Sequence, residues 1–317
     1  MTDHRLLDTV YRLPIDGKTQ LIGLFGWPLS HTFSPAMHNA AAAAAGLNWV
    51  YVPLPVHPDD VETAVSALPA LNFRGVNITV PHKQAVMPFL DEIETGAEAI
   101  GAVNTIVVER GINNQQSTIN NQQLTRKARL VGYNTDWSGF LVDLESVGVD
   151  VAGRDCLILG AGGSARAVAY GLATKGARVM LLARRVAQAE EVVARLRPFF
   201  PNGRLQAESL ANLADSVQRQ DAPLIVNSTP LGMSPHVDGS PWPKDLPFPK
   251  GTFVYDLIYN PQQTKLMQQA QTAGCQAENG LGMLVHQGAT AFHLWTGQQP
   301  DTKIMRKAIQ FQSSSKQ

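Results

Sequence analysis

The segment NITVPHK, residues 77–83, places amide, hydroxyl and amino groups at the end of an apolar strand. Side chains two positions apart on a strand share a face, so Asn77 and Thr79 point the same way, opposite to the apolar side chains that alternate with them. Lys83 follows closely, and a lysine ammonium stabilises and protonates an oxygen on which negative charge develops. The segment therefore indicates either a binding cleft equipped for acid/base chemistry or a surface strand that leads into solvated chain.

A second segment, residues 156–183, has the order of strand, glycine turn, helix and strand that is typical of a dinucleotide-binding βαβ unit. Gly160 permits the tight turn, Gly162 lets backbone approach a pyrophosphate, and Ala165 keeps the helix close to the sheet. Backbone N–H groups at the helix start would hold that anion. A hydrolase nucleophile elbow is excluded because Arg166 stands where G-x-S-x-G requires glycine. The cofactor residues predicted from this turn are Gly160, Ala161, Gly162, Gly163, Ser164 and Ala165.

The end of the second strand of this unit indicates which dinucleotide binds. An NAD site usually has Asp or Glu about 20 residues further on, to bind the ribose 2′-hydroxyl. This chain instead has Arg184 and Arg185, and the first acid after them is Glu190. Planar guanidinium groups bind phosphate oxygens well, so the pair favours NADP(H) over the alternative of a solvated, basic helix start.

The elements that position these residues alternate between apolar strands and helices, which predicts an α/β architecture. The segment SHTFSPAMHNAAAAAAGL predicts a helix with Ser34 as its N-cap, and a further helix is predicted after Pro81. Residues 110–129 are rich in Asn and Gln and poor in large apolar side chains. They predict a flexible insertion between two strands.

Composition excludes several classes of function. The 317 residues suggest two domains, and 26 basic residues balance 26 acidic ones. We therefore expect a small-molecule partner, and neither nucleic acid nor a membrane. Cys156 and Cys275 form no C-x-x-C pair and the eight histidines include no H-E-x-x-H motif, so no metal site is predicted. The N-terminus lacks the features of a signal peptide, and we expect a soluble, cytoplasmic protein.

Eight ordered motifs, spread over nearly the whole chain, resemble those of the shikimate dehydrogenase family. They are HTFSP, NITVPHK, GAVNT, GYNTD, LGAGGSARA, NSTPLGM, YDLIYNP and NGLGMLVHQG. The resemblance implies reversible reduction of 3-dehydroshikimate to shikimate with NADPH, in aromatic amino-acid biosynthesis. It also implies an α/β substrate-binding domain of residues 1–135 plus 281–317 and a Rossmann-like NADP-binding domain of residues 136–280, with the active-site cleft between them.

The resemblance assigns roles to individual residues. Lys83 and Asp136 match the catalytic pair. Thr32 and Ser34 would bind the substrate carboxylate, and the residues expected at the ring hydroxyls and neighbouring groups are Asn77, Thr79, Asn104, Tyr259 and Gln287. Leu257 and Gly280 would join Arg184, Arg185 and the glycine turn at the cofactor. The chain departs from the family where Thr32 replaces serine, where ARR replaces the common NRT, and in its Asn/Gln-rich insertion.

Two other functions compete with this one. A quinate/shikimate dehydrogenase that prefers NAD would carry an acid after the second strand of the βαβ unit, where this chain has arginines. A binding protein that senses NADP or shikimate without turnover would lack Lys83 or Asp136, and both are present. The choice between a monomer and a homodimer stays open.

Overall fold

The computed structural model describes residues 15–29, 32–110 and 128–314 of the chain. The chain divides into two compact units. The first comprises Met1–Glu98, Val103–Asn134 and Gly288–Gln317, and the second comprises Ala99–Ala102 and Thr135–Gln287. The expected mixture of strands and helices is confirmed in both units.

The first unit is built on a sheet that has six strands among the described residues. These are β1 (Gln20–Gly26), β2 (Trp49–Pro55), β3 (Phe73–Ile78), β4 (Glu92–Ile93), β5 (Thr105–Arg110) and β6 (Ala128–Tyr133). They lie in the order β2-β1-β3-β5-β6-β4, with β5 antiparallel to both neighbours and the remaining pairs parallel. Its first helices are α1 (Ser34–Ala44), α2 (Val61–Ala67) and α3 (Thr95–Ile100), of which α3 ends in the second unit.

The second unit contains a fully parallel sheet, again of six strands within the described part of the chain. These are β7 (Asp155–Leu159), β8 (Arg178–Ala183), β9 (Arg204–Ser209), β10 (Leu224–Asn227), β11 (Phe253–Asp256) and β12 (Gln276–Asn279). The order is β12-β11-β10-β7-β8-β9. Strand β7 is apolar on both faces, since Ile158 packs into one core cluster while Leu157 and Leu159 pack into another. Such continuous apolar strands are typical of a parallel sheet covered on both sides.

The helices of the second unit are α4 (Asp136–Ser146), α5 (Gly163–Thr174), α6 (Val186–Leu196), α7 (Leu213–Gln218), α8 (Lys265–Thr272) and α9 (Leu281–Thr296), and α10 (Thr302–Ser314) belongs to the first unit. Helix α9 is divided between the units after Gln287. Among the helices of the described residues, none combines the length and the apolar character that crossing a lipid bilayer requires.

Residues 281–287 lie in the second unit, although the sequence-based division placed 281–317 in the substrate domain. Met283 is buried in a core cluster of the second unit that also contains Phe140 and Leu144. The backbone of Gly282 lies against the carboxylate of Asp143 on α4. Side chains of the second unit therefore hold the start of α9, and the apolar periodicity of the segment does not reveal this.

Three local predictions were wrong. The N-cap of α1 is Phe33 rather than Ser34, and the hydroxyl of Thr32 accepts a hydrogen bond from the Ser34 N–H at 3.2 Å. The segment after Pro81 forms turns followed by a 3₁₀ helix at Met87–Phe89 rather than an α-helix. Pro88 explains this difference, because a proline disfavours helical backbone in the residue before it and removes a helix donor.

The third correction concerns the ends of the predicted insertion. Arg110 pairs with Ala128, and Glu109 with Arg129, in the antiparallel register of β5 and β6. Arg129 also forms salt bridges with Glu92 and Glu109, at 2.7 and 2.8 Å. These cross-strand contacts extend both strands into the range 110–129, and the prediction of flexibility for residues 111–127 falls outside the described residues.

Candidate active site and cofactor site

Two of the predicted substrate residues of the first unit, Asn77 and Asn104, are joined by a buried chain of hydrogen bonds. The Tyr51 hydroxyl donates to Oδ1 of Asn77 at 2.9 Å, and Nδ2 of Asn77 donates to Oγ1 of Thr105 at 3.1 Å. The Thr105 hydroxyl donates in turn to Oδ1 of Asn104 at 3.0 Å. Because these partners leave neither amide free to rotate, Asn77 and Asn104 are held in defined orientations.

Tyr51 is a residue that sequence reasoning missed. It lies in β2, where its apolar neighbours make it read as a core residue. Burial raises the pKa of its hydroxyl well above the usual range, while a hydrogen bond with the Ser34 side chain opposes that rise. A buried tyrosine hydroxyl needs a polar partner, and this requirement is the signal that could have identified it. Tyr51 thus links Ser34 at the start of α1 to Asn77 on β3.

His38 supports Tyr51 from α1. The two rings are stacked, with their centroids 4.4 Å apart and their planes inclined by 7°. The His38 side chain is fully buried, and burial lowers its pKa to about 3, so the ring is neutral at physiological pH. Phe292 and Trp295 of α9 complete the aromatic surroundings. His38 therefore contributes packing rather than charge.

Thr79 and Lys83 follow the end of β3 and lie on backbone that is anchored on several sides. The Thr79 N–H donates to the Phe25 carbonyl at 2.8 Å, and Nε2 of the buried His82 donates to the Val56 carbonyl at 2.7 Å. The Lys83 carbonyl accepts from the Val103 N–H at 2.8 Å, next to Asn104. Strand pairing and these bonds bring Lys83 to the same edge of the sheet as the asparagine cluster.

Three of the predicted catalytic and substrate-binding residues lie in the second unit. Asp136 is the first residue of α4 and is buried. Gln287, on α9, is buried close to it: a Cβ at Gly139, three residues after Asp136, would lie 2.5 Å from the Gln287 backbone nitrogen. Tyr259 follows β11 with a half-buried side chain, and burial raises the pKa of its hydroxyl.

The turn after β7 fits a dinucleotide phosphate. Gly160 has a φ of 115°, and a Cβ there would lie 2.5 Å from the Ser228 hydroxyl oxygen, so only glycine suits this position. Helix α5 follows with Gly162 as its N-cap, a residue without a side chain to satisfy the first N–H groups. Nothing lies within 4 Å of the position that a Gly162 Cβ would take. The helix start is therefore open to an anion, while Ala165 is buried in the core.

The other predicted cofactor residues lie at the same edge of the parallel sheet. Arg184 and Arg185 directly follow β8, and both side chains are exposed. Leu257 follows β11, and its N–H donates to the Asn227 carbonyl at 2.9 Å. Gly280 precedes α9, and its N–H donates to the Ile258 carbonyl at 3.2 Å. Carboxyl ends of parallel strands form the usual ligand-binding edge of such a sheet.

The chemistry of the two residue sets is that of polar recognition and proton transfer. Within the described residues, no group of three or more His, Cys, Asp and Glu side chains is arranged to hold a metal ion. The first unit supplies hydroxyls, amides and an ammonium, from Thr32, Ser34, Asn77, Thr79, Lys83 and Asn104. The second supplies a carboxylate, an amide, a phenol and the phosphate turn. Such a set suits a small polyhydroxylated molecule and a dinucleotide.

Comparison with known proteins identifies relatives along most of the chain. Residues 24–106 match the profile of the shikimate dehydrogenase substrate-binding domain, and residues 280–310 match that of the shikimate 5′-dehydrogenase C-terminal domain. A shikimate dehydrogenase (NADP⁺) of Desulforamulus reducens is 44% identical over 301 residues, which cover 93% of this chain and 96% of the relative.

Solved structures give the same result. A crystal structure of a shikimate dehydrogenase in complex with NADP⁺ is 36% identical, with a TM-score of 0.83 and coverage of 94% of this chain and 97% of the other. A shikimate 5-dehydrogenase of Thermus thermophilus, in complex with NADP(H) and shikimate, is 33% identical, with a TM-score of 0.74 and coverage of 92% and 99%. Both the sequence and the fold are therefore similar to these enzymes over nearly their whole length.

Proposed function

Since this chain belongs to the shikimate dehydrogenase family, we propose that it catalyses the reversible, NADPH-dependent reduction of 3-dehydroshikimate to shikimate. This is an oxidoreductase step of the shikimate pathway, which leads to the aromatic amino acids. The observation that carries the proposal is the position of Lys83, whose carbonyl accepts from Val103 beside the Asn77 and Asn104 cluster. We infer that the Lys83 amino group serves the same site as these amides, which suit the hydroxyls of a cyclohexene ring.

We assign substrate recognition to the hydroxyl and amide groups described above. Thr32 and Ser34, at the start of α1, would bind the carboxylate through their hydroxyls and nearby N–H groups. Asn77, whose amide orientation is set by Tyr51 and Thr105, would accept or donate to a ring hydroxyl. The other residues proposed at the ring are Thr79, Asn104, Tyr259 and Gln287.

Lys83 is proposed to handle the proton of the reaction. The cofactor supplies the hydride, and reduction of a ketone leaves negative charge on its oxygen. The Lys83 ammonium would stabilise that oxygen and protonate it, and the same group would act as base in the reverse direction. We assign to Asp136 the role of favouring the charged form of the lysine.

NADP is the proposed cofactor, and the turn after β7 is its proposed phosphate site. The open start of α5, from Gly162 to Ser164, would bind the pyrophosphate. Arg184 would bind the 2′-phosphate, with Arg185 as an additional positive charge. Leu257 and Gly280 would lie against the cofactor at the carboxyl ends of β11 and β12. We also propose a cytoplasmic location, which the free cysteines Cys156 and Cys275 fit.

A direct assay tests the proposal. The purified protein is mixed with shikimate or quinate and with NADP⁺ or NAD⁺, and the absorbance of reduced nicotinamide is followed. We expect the fastest rise with shikimate and NADP⁺. A faster rise with quinate and NAD⁺ would show a quinate dehydrogenase. Binding of both ligands by calorimetry, without any rise, would show a binding protein that lacks the activity.

A further inference from the structure

A buried carboxylate, that of Asp256, lies at the end of β11 and has none of the roles assigned above. Its side chain is fully buried, and it accepts three hydrogen bonds. Oδ1 accepts from Nδ2 of Asn227 at 2.9 Å and from the Ile258 N–H at 3.1 Å, and Oδ2 accepts from the Thr264 hydroxyl at 2.7 Å. Burial raises its pKa to about 6, and the hydrogen bonds oppose that rise. All its described partners are donors, as an ionised carboxylate requires.

Asp256 joins the two segments that follow β10 and β11. Asn227 ends β10, and its Oδ1 accepts from the Thr229 N–H at 2.9 Å and from the Thr229 hydroxyl at 2.7 Å. The Thr229 hydroxyl accepts in turn from the Leu231 N–H at 3.3 Å. On the other side, Thr264 is the N-cap of α8, and it accepts from the Met267 N–H. The Asp256 carboxylate thus holds Asn227, where the segment after β10 begins, and Thr264, where the segment after β11 ends.

These bonds continue to the phosphate turn. The Ser228 N–H and hydroxyl both donate to the Leu159 carbonyl, at 2.9 and 2.8 Å, and the Ser228 hydroxyl also lies against Gly160. In the other direction, Leu257 donates to the Asn227 carbonyl. A continuous set of hydrogen bonds therefore crosses the carboxyl edge of the sheet from β7 to β11.

The strand order indicates which half of a dinucleotide meets this set. A dinucleotide crosses the carboxyl edge with its pyrophosphate at the first βα turn, which here follows β7. Arg184, the proposed partner of the 2′-phosphate, follows β8, and β8 lies on one side of β7. The adenosine half therefore belongs to that side. Strands β10 and β11 lie on the other side of β7, where the nicotinamide half must lie.

We propose that Asp256 is a positioning residue for the nicotinamide half of the cofactor, and that it acts by holding Leu257 and the segment of residues 228–231 in place. This inference rests on the proposed function. Without the carboxylate, donors of Asn227, Ile258 and Thr264 lose their shared acceptor, and both segments lose their common anchor. Arg184 and the start of α5 make none of these bonds, so contacts to the adenosine half stay intact.

The test compares two ligands. Dissociation constants are measured by calorimetry for NADPH and for 2′,5′-ADP, which carries only the adenosine half, with the wild type and the variant Asp256→Ala. We expect NADPH to bind roughly tenfold more weakly to the variant, which is the loss of about one buried hydrogen bond. The affinity for 2′,5′-ADP should stay within about twofold, since the adenosine side is unchanged.

Two further variants make the result specific. Asp256→Asn keeps an oxygen for the Asn227 and Ile258 donors, so it should restore NADPH affinity to within about threefold of the wild type. Asp245→Asn makes the same chemical change at an exposed aspartate and should alter neither affinity. If Asp256→Ala does not fold, Asn227→Ala breaks the same link from β10 and should show the same selective loss.

The possible outcomes separate the two proposals. An equal loss for NADPH and 2′,5′-ADP, or no loss for either, would overturn the positioning role of Asp256. A wild-type protein that binds neither ligand would overturn the proposed function itself. Thermal unfolding of each variant without ligand is recorded in parallel, because a purely structural role would lower stability without separating the two ligands.

Discussion

The two arginines after β8 offer a matched pair at the scale of single residues. Arg184 is the proposed partner of the 2′-phosphate, while Arg185 is the N-cap of α6, and both are exposed. We expect Arg184→Ala to weaken NADPH binding about 10 to 150-fold, because a charge-assisted bond is worth roughly 1.5 to 3 kcal/mol. NADH binding should not change. Fluorescence titration with both cofactors measures this selectivity.

Arg185→Ala is the control for that prediction. It removes the same charge from the next residue, and we expect the affinity for NADPH to fall by no more than about threefold. Equal losses for NADPH and NADH in the Arg184 variant would contradict the assignment. A larger loss of NADPH affinity in the Arg185 variant than in the Arg184 variant would mean that Arg185 is the residue that binds the 2′-phosphate.

Asp256 predicts an unusual dependence of stability on pH. Burial raises its folded-state pKa to about 6, above the ordinary value of 3.8, so the folded protein binds the proton more tightly than the unfolded chain. The contribution of Asp256 to the free energy of unfolding therefore decreases as pH rises from 3.8 to about 6. Between about pH 7 and about pH 4, the free energy of unfolding of the wild type should rise by on the order of 2 kcal/mol relative to that of Asp256→Asn.

Urea unfolding of both proteins at a series of pH values measures that difference. All other titrating groups are shared, so only the change in the difference between wild type and variant is attributed to Asp256. A constant difference across the series would show that Asp256 keeps an ordinary pKa. A wild type that loses stability relative to the variant on acidification would show that its pKa is lowered.

Residue types on polar strand faces were predictable, while buried polar partners were not. Asn77 and Asn104 stand out because amides interrupt apolar segments. Tyr51 does not stand out, because its ring suits the apolar strand β2 and only the fold shows that its hydroxyl meets Asn77. Asp256 was missed for the same reason: its three donors come from Asn227, Ile258 and Thr264, which the fold brings together. Hydrogen-bond partners that are distant in sequence leave no local pattern.

At the scale of elements, the register of β5 and β6 predicts that a short turn can replace residues 111–127. Arg110 pairs directly with Ala128, so the two strand ends are near enough for a short hairpin connection. Replacing residues 111–127 by an Asn-Gly turn should leave activity within a few-fold and the urea midpoint nearly unchanged. Steady-state kinetics and urea unfolding of the shortened chain check this. A large loss of substrate affinity would show that the removed residues contribute to the site.

The contact between α4 and α9 predicts that Gly282 does not tolerate a side chain. A Cβ at Gly282 would overlap the buried carboxylate of Asp143, which also accepts from the Tyr255 hydroxyl at 2.5 Å. Gly282→Ala should therefore destabilise the fold by about 1 to 3 kcal/mol or more. It should also weaken shikimate binding, since α9 carries Gln287. Urea unfolding and substrate titration measure both effects.

Gly17→Ala is the control for the Gly282 variant. Nothing lies within 4 Å of the Cβ that this substitution would add, so we expect a change of no more than about 0.5 kcal/mol. A Gly282 variant as stable as this control would mean that α9 shifts away from Asp143 without cost.

Element types were largely predictable, but element ends were not. The alternation of apolar strands with helices and the glycine turn identified the parallel sheet of the second unit. The segment after Pro81 does not form the predicted α-helix because Pro88 disfavours helical backbone in the residue before it. The N-cap of α1 was displaced by one residue because Thr32, rather than Ser34, supplies the hydroxyl acceptor at that end. Such ends depend on single hydrogen bonds.

At the scale of the whole molecule, the chain passes from the first unit to the second more than once. The sequence-based division has one boundary after residue 135, beside the passage after Asn134, and does not contain the short passage through Ala99–Ala102. The chain returns to the first unit after Gln287, whereas the sequence-based division put this boundary after residue 280. The difference arises because Gly282 contacts Asp143, a residue far away in sequence. Lys83 lies in the first unit and Asp136 in the second. Whether two such residues act together in catalysis is a question for kinetics.

A double-mutant cycle answers that question. If Lys83 donates and accepts the proton, Lys83→Ala should lower kcat by roughly 10² to 10⁴, or about 3 to 5 kcal/mol of barrier, while shikimate and NADP⁺ still bind within about tenfold. Asp136→Asn should cost a comparable amount, because it removes the charge that favours the ammonium. The kcat of the double variant should be only slightly lower than that of the less active single variant. Removing either group already disrupts the proton transfer that both groups serve.

Exposed residues supply the controls for the cycle. Lys250→Ala and Asp245→Asn remove the same charges at exposed positions, and neither should change kcat. Losses that multiply in the double variant would mean that Lys83 and Asp136 contribute independently. An active Lys83→Ala enzyme, or one that loses only substrate affinity, would mean that Lys83 holds the substrate and that another group transfers the proton. Because kcat and the separately measured affinities move differently in these cases, the cycle assigns the role of each residue from the chemistry alone.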